Sequence, residues 1–263
     1  MHSRIIEQRL PDEKPTVARF ACSGSPPRLT ACLQLAERVH LALVSLSDGA
    51  EVFTGCDSSG QPLQGHRHAY ILCECNPESG RVDLGEITHI TVFARAGFGL
   101  REEQALMGLE RIWGPDDIDI SLTLEGMGRQ EGFPDSPLLS PSREWVSRTP
   151  FLPARHAKVT RAGAPRCDAR GYQIGGPEHE LLRLLALAGL PEPVALEPVE
   201  GTLLGGQVVP WREFTRRRSS GGGKGAVGGG YGFRIRFAEE VAGPVALGYA
   251  GHFGMGAFVC GGR

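Results

Sequence analysis

A chain of 263 residues has the length for one large domain or two of ordinary size, and 41% hydrophobic content supplies real cores. Its 37 glycines and 19 prolines argue for many loops and exclude a helical bundle. The formal net charge of −2 excludes a globally basic nucleic-acid binder, so any such surface must be a local patch.

Seven cysteines (Cys22, Cys32, Cys56, Cys73, Cys75, Cys167, Cys260) are an odd number without framework-like spacing. No signal peptide opens the sequence, and no apolar run approaches the ~20 residues of a membrane span. The expectation is a cytoplasmic protein with reduced thiols and no membrane partner.

Residues 1–16 are polar and aperiodic and read as a tail or linker remnant. Val17 to Cys22 predicts a strand. From Leu29 to Leu46 apolar residues recur at helical spacing, and Asp48-Gly49 stops the helix. Gly49 to Gly65 reads as a loop. Ala69 to Glu74 and Ile87 to Ala94 predict strands joined by the turn-rich Asn76-Pro-Glu-Ser-Gly80. Glu102 to Trp113 predicts a second helix, and Ile118 to Leu124 alternates like a half-buried strand. The order β-α-β-β-α-β is the ferredoxin-like plan.

Gly126 to Ser142, rich in Gly, Pro and Ser, reads as the join between halves. The second half opens on extended Trp145 to Leu152, then predicts a helix at Glu178 to Ala188, stopped by Gly189 and Pro191. Strands follow at Val194 to Leu204 and Val208 to Phe214, a long glycine loop at Arg216 to Gly230, and alternating Tyr231 to Phe237. The fold class expected is α+β: two tandem ferredoxin-like (RRM-like) domains with a C-terminal glycine-rich loop. Their bounds are 17–125 and 145–263, with 126–144 as linker; the second crossover helix is missing or very short.

Polar chemistry concentrates in a few places. In Gly65-His-Arg-His-Ala69, His66 and His68 fall on one face of extended backbone, with Arg67 on the other or on the rim. Histidine titrates near neutrality and can take or give a proton in a transition state. His66, His68, Cys73 and Cys75 also have zinc-ligand types. In a single strand, however, the odd-numbered cysteines face away from the even-numbered histidines, so no metal is expected. Arg155, His156 and Lys158 project from a proline-stiffened segment suited to phosphate contact, acid/base work or plain solvation.

Arg216, Arg217, Arg218 and Lys224 sit in the glycine loop, with Arg234 and Arg236 on one face of the next strand; mobile basic loops suit phosphate backbones. At the end of the chain, Gly248, Gly251, Gly254 and Gly256 surround His252 and Phe253. Glycine lets a ligand's backbone approach closely. No helix can follow within the remaining residues, which excludes a dinucleotide fingerprint.

Gly65-His-Arg-His-Ala69, Trp145-Val-Ser-Arg-Thr-Pro-Phe151 with Pro153-Ala-Arg-His156, and Gly243-Pro-Val-Ala-Leu-Gly-Tyr-Ala-Gly-His-Phe-Gly-Met-Gly256 together resemble a known family. It is the CRISPR repeat-processing endoribonucleases of the repeat-associated mysterious protein superfamily. Closer still is the processing half of the fused type I-G (formerly I-U) subunit, whose first module has no counterpart here. The chain is then a natural short form or half of a larger subunit.

The resemblance implies metal-independent, cofactor-free cleavage of precursor CRISPR RNA within its repeat, leaving 2′,3′-cyclic phosphate and 5′-hydroxyl ends. His66 or His68 would be the acid/base, with His156 as partner or backup. Arg67, Arg155, Lys158, the arginine loop and the terminal glycine loop with His252 would hold RNA. Partners would be the repeat RNA and other subunits of a type I effector complex. The rivals are a subunit that grips processed RNA without cutting, and a small-molecule enzyme on the same scaffold.

Overall fold

The computed structural model describes residues 14–65, 67–75, 85–114, 118–216, 218 and 229–261. The chain divides into two compact units. The first runs to Pro134 and takes in His252–Gly254; the second is Asp135–Gly251 with the residues from Met255 onward. Both are mixed α/β with antiparallel sheets.

In the first unit the elements are β1 (Val17–Gly24), α1 (Cys32–Leu46), α2 (Glu51–Thr54), β2 (Tyr70–Glu74), β3 (His89–Phe93), α3 (Leu100–Met107), β4 (Arg111–Trp113) and β5 (Asp119–Gly128). They build one sheet in the order β2-β3-β1-β5-β4. The central strand β1 pairs on both sides, with Phe20 opposite Ile90 and Leu124 and a register shift after Arg19. The helices supply the apolar cover: Leu33, Leu35, Val39 and Leu43 of α1 are fully buried, as is Phe98, which stacks on Phe53 at 6.1 Å.

By length and composition alone, Leu29–Leu46 is long and apolar enough to cross a membrane, which amends the expectation that no run comes near a span. Its buried stripe is that of a core helix.

The second unit contains β6 (Ser142–Ser147), α4 (Pro177–Leu187), β7 (Ala195–Val199), β8 (Gly201–Leu204), β9 (Gln207–Pro210), β10 (Gly232–Val241), β11 (Val245–Ala246) and β12 (Ala257–Cys260). Its sheet runs β11-β12-β6-β10-β7, and β8 and β9 form a separate hairpin. Trp145, Phe151, Leu181, Leu185, Phe233, Ile235, Phe237 and Phe258 make the core, α4 contributing its two leucines.

Four expectations change. The helix expected over Glu102 to Trp113 ends at Met107, and Arg111–Trp113 is a strand paired with β5. Leu106, Leu109 and Ile112 are all buried, and their three-residue spacing arises from a helix end followed by a strand. The strand expected over Val194 to Leu204 is two: β7 pairs with β10, and β8 turns back at Gly205-Gly206 onto β9. Edge position lets β7 carry Pro198. Val208 to Phe214 ends as strand at Pro210 and becomes a 3-10 turn at Trp211–Glu213. The loop Gly49 to Gly65 contains α2.

The join read at 126–144 is shorter in backbone terms, since β5 runs to Gly128 and β6 begins at Ser142. The turn at residues 76–80 and the tail at residues 1–13 lie outside the described residues.

Trp145 is fully buried, and its indole N–H donates to the Ser142 carbonyl at 3.1 Å. Trp145→Ala is expected to destabilise the protein by about 3–5 kcal/mol, read from urea denaturation.

Candidate nucleic-acid active site

Rings from three parts of the first unit meet in one cluster. His68 stacks on His252 with centroids 4.5 Å apart and planes 23° from parallel. Tyr70 lies 4.2 Å from the far side of the pair, against His252. His40, from α1, presents an edge to His68 at 5.9 Å and to Phe253 at 5.2 Å. The three imidazoles are half-buried, while Tyr70 and Phe253 are buried.

Local structure explains the placement of His68. The Ala69 amide donates to the Val52 carbonyl at 2.8 Å, which ties the segment before β2 to α2 rather than to the sheet. His68 Nε2 lies 3.1 Å from the Phe53 carbonyl oxygen. A carbonyl only accepts, so Nε2 is the protonated nitrogen and Nδ1 carries the lone pair of the neutral ring. Nδ1 faces Gly55, which has φ +72°, and a Cβ built there would lie 2.8 Å from it. The glycine leaves room for this ring.

His252 is placed by the backbone beside it. Gly254 has φ +79°, and an added Cβ would sit 3.1 Å from the Ile71 carbonyl oxygen on β2. Both the backbone conformation and the closeness of the two main chains favour glycine.

Burial pushes the Tyr70 phenol above its ordinary range, and the charge of Arg95 works against that rise. Tyr70 is therefore a neutral hydroxyl at physiological pH. Three thiols of the same unit are held in the protonated form: burial pushes Cys22 and Cys32 up to about 12, and Cys73 well above the usual thiol range. Cys73 instead donates its S–H to the Cys32 carbonyl at 3.7 Å. Among the described residues no three of His, Cys, Asp and Glu are grouped to hold a metal ion.

The sequence-predicted residues fall into three groups. His68, His252 and Gly254 come together in the cluster. Arg67 is exposed beside it in sequence, and His66 lies outside the described residues. The extended strand that was to hold both histidines begins only at Tyr70, so side-chain alternation along one strand does not relate His68 to Cys73 and Cys75.

In the second unit Arg155, His156 and Lys158 are exposed, and Arg155 Nε lies 4.0 Å from the buried Glu180 carboxylate, which is itself bound by Arg183. Arg216 and Arg218 are half-buried, while Arg217 and Lys224 lie outside the described residues. Arg234 is ion-paired with Glu144 on the neighbouring strand, so its charge is neutralised locally. Gly248, Gly251 and Gly256 belong to the segment that bridges β11 and β12, Gly251 opening a single 3-10 turn.

Sequence reasoning missed His40 and Tyr70. His40 looked like one polar position within an apolar helix, one residue past the buried Val39. Tyr70 looked like an ordinary strand residue.

The chain matches no protein-family model and no curated protein sequence. Among solved structures, a Cas6 product complex is similar at 15% identity and a TM-score of 0.40, over 93% of this chain and 99% of that one. Thermus thermophilus Cas6 is similar at 13% identity and a TM-score of 0.34, over 94% and 98%.

Gly55→Ala is expected to displace the His68 ring and shift the His68 and His252 imidazole resonances in carbon–proton spectra. An unchanged pair of resonances would contradict this packing.

Proposed function

We propose that the chain is a metal-independent endoribonuclease that cleaves precursor CRISPR RNA within its repeat, working in the cytoplasm and holding its product in a type I-G effector complex. The observation that carries the reading is the stacking of His68 on His252. Cleavage by an internal 2′-hydroxyl needs a base for that hydroxyl and an acid for the leaving 5′-oxygen. Two imidazoles in face contact disfavour a double positive charge, which suits a pair holding one proton between them.

The three sequence motifs support the same reading, since two of them contribute His68 and His252. Each unit is read as a ferredoxin-like module. Counting the four principal strands of each in chain order, second-third-first-fourth describes both β2-β3-β1-β5 and β7-β10-β6-β12.

In this mechanism His68 Nδ1, above Gly55, takes the 2′-hydroxyl proton. The 2′-oxygen attacks the adjacent phosphorus, and the bond to the 5′-oxygen breaks. His252 returns a proton to that oxygen, leaving a 2′,3′-cyclic phosphate and a 5′-hydroxyl. Tyr70 is a neutral hydrogen-bond donor for the developing phosphorane charge. His40, edge-on to His68, completes the set, and His66 and His156 stand as alternative acid/base groups. Arg67, Arg155, Lys158, Arg216, Arg217, Arg218 and Lys224 would hold phosphates, with Gly248, Gly251, Gly254 and Gly256 seating the RNA backbone. A-form stems hide their major groove, so recognition runs through phosphates, shape and unpaired bases.

His68→Ala and His252→Ala are each expected to slow cleavage of labelled repeat RNA by about 10²–10⁴-fold, with RNA affinity largely kept. Undiminished cleavage by the double variant would move the chemistry to His66 or His156. The wild-type protein is expected to cut equally well in EDTA, with a cyclic phosphate at the product 3′ end; loss of activity on chelation would contradict the mechanism. Tight RNA binding by wild type without any cleavage would identify a holding subunit instead.

A further inference from the structure

The second unit carries a cleft of about 320 Å³ that the cleavage mechanism does not use. Its floor is apolar, built by Leu182 and Ala186 of α4 and by Leu190 and Pro191 just beyond it. Its rim is polar and mixed in sign. Arg170 Nη1 pairs with the Glu192 carboxylate at 2.7 Å, so a donor fork and an acceptor stand side by side. Arg183 is held by the buried Glu180 through bonds of 2.9 and 2.5 Å, which fixes its guanidinium in place. The Gly175 amide donates to His179 Nδ1 at 3.3 Å, so the neutral His179 ring offers an N–H from Nε2.

This chemistry narrows the ligand. Rim carboxylates at Asp168 and Glu192 disfavour a bare phosphate, and charged rim groups disfavour a wholly apolar guest. A flat ring with an apolar face and an edge that sets a pair of acceptors beside a pair of donors matches both features. Among nucleobases guanine fits best: its O6 and N7 accept from an arginine fork, while its N1–H and N2–H₂ groups donate to a carboxylate.

We infer that this cleft receives one unpaired guanine nucleotide, its base on the Leu182–Ala186 floor and its edge against the Arg170–Glu192 pair. That the nucleotide belongs to an RNA strand rests on the function proposed above; the fit of the base does not. The site then reads one unpaired guanine of the repeat.

The test begins by titrating the nitrogen-labelled full chain with 5′-GMP, 5′-AMP, 5′-CMP and 5′-UMP. GMP is expected to shift the amides of Arg170, His179, Ala186 and Leu190, with affinity about tenfold above AMP. Ala186→Phe, at an exposed position where the ring plugs the floor without entering the core, is expected to abolish those shifts. Equal responses to all four nucleotides, or GMP shifts that survive Ala186→Phe, would overturn the inference.

A single-stranded oligonucleotide bearing one guanine, compared with its adenine counterpart, tests the source. Guanine preference in wild type and none in Ala186→Phe supports RNA reading, whereas indifference of both proteins to the guanine overturns it even if free GMP binds. None of the cleft residues lies in the imidazole cluster. Failure here therefore leaves cleavage intact, and failure of cleavage leaves the GMP titration as it stands.

Discussion

The placement of His252 depends on two backbones lying nearly in contact. At Gly254 the main chain passes so close to β2 that a side-chain carbon would press on the Ile71 carbonyl, and the residue adopts φ +79° besides. Any other residue would carry the strain of a left-handed backbone and push the segment outward, about 1–3 kcal/mol for the conformation alone. Two residues earlier stands His252, whose ring fills the space between His68 and Tyr70. The histidine pair is thus a consequence of main-chain packing, with the rings following where the glycine allows.

The strand that receives this segment is pinned from its other end. Side chains on β2 alternate, so Tyr70 and Glu74 share a face. Glu74 is fully buried and accepts from Thr91 Oγ1 at 2.5 Å and from Arg19 Nε at 3.0 Å, and Arg19 continues to Glu125 at 2.7 Å. His89 closes the group, and its hydrogen bond is the main cause holding the Glu125 carboxyl below the usual range. A one-residue slip of β2 would drive Glu74 into the apolar face and leave Arg19 without that carboxylate. The network therefore fixes register, and with it the position of Tyr70 under His252. Because the Glu125 shift is downward, its contribution holds above the ordinary carboxylate range and is lost as pH falls through the folded value.

Much of this was legible in order of elements. The stripe Leu35, Ala36, Val39, Leu43 marked α1, and the alternation of Phe233, Ile235 and Phe237 marked β10, because burial on one face imposes a period on the sequence. His68 and His252 drew attention as polar residues flanked by glycine. Periodicity failed where two elements shared one spacing, as at Leu106, Leu109 and Ile112. It failed again where a pairing partner was remote, since nothing near Glu200 announces that β7 and β8 belong to different sheets. His40 escaped notice for a related reason: on a helix whose neighbours are apolar, its worth depends on what stands opposite.

The sequence by itself determined the mixed character of the chain, the places of α1, α4 and the principal strands, and which histidines near glycine were worth watching. Those are properties of local spacing, and local spacing is written along the chain. Only the tertiary structure decided that residues 40, 68, 70 and 252 share one cluster, and that Nε2 of His68 is spent on a main-chain carbonyl. Such facts depend on contacts between residues as far apart in the chain as His40 and Phe253, where close packing and hydrogen-bond direction rule and periodicity carries no information.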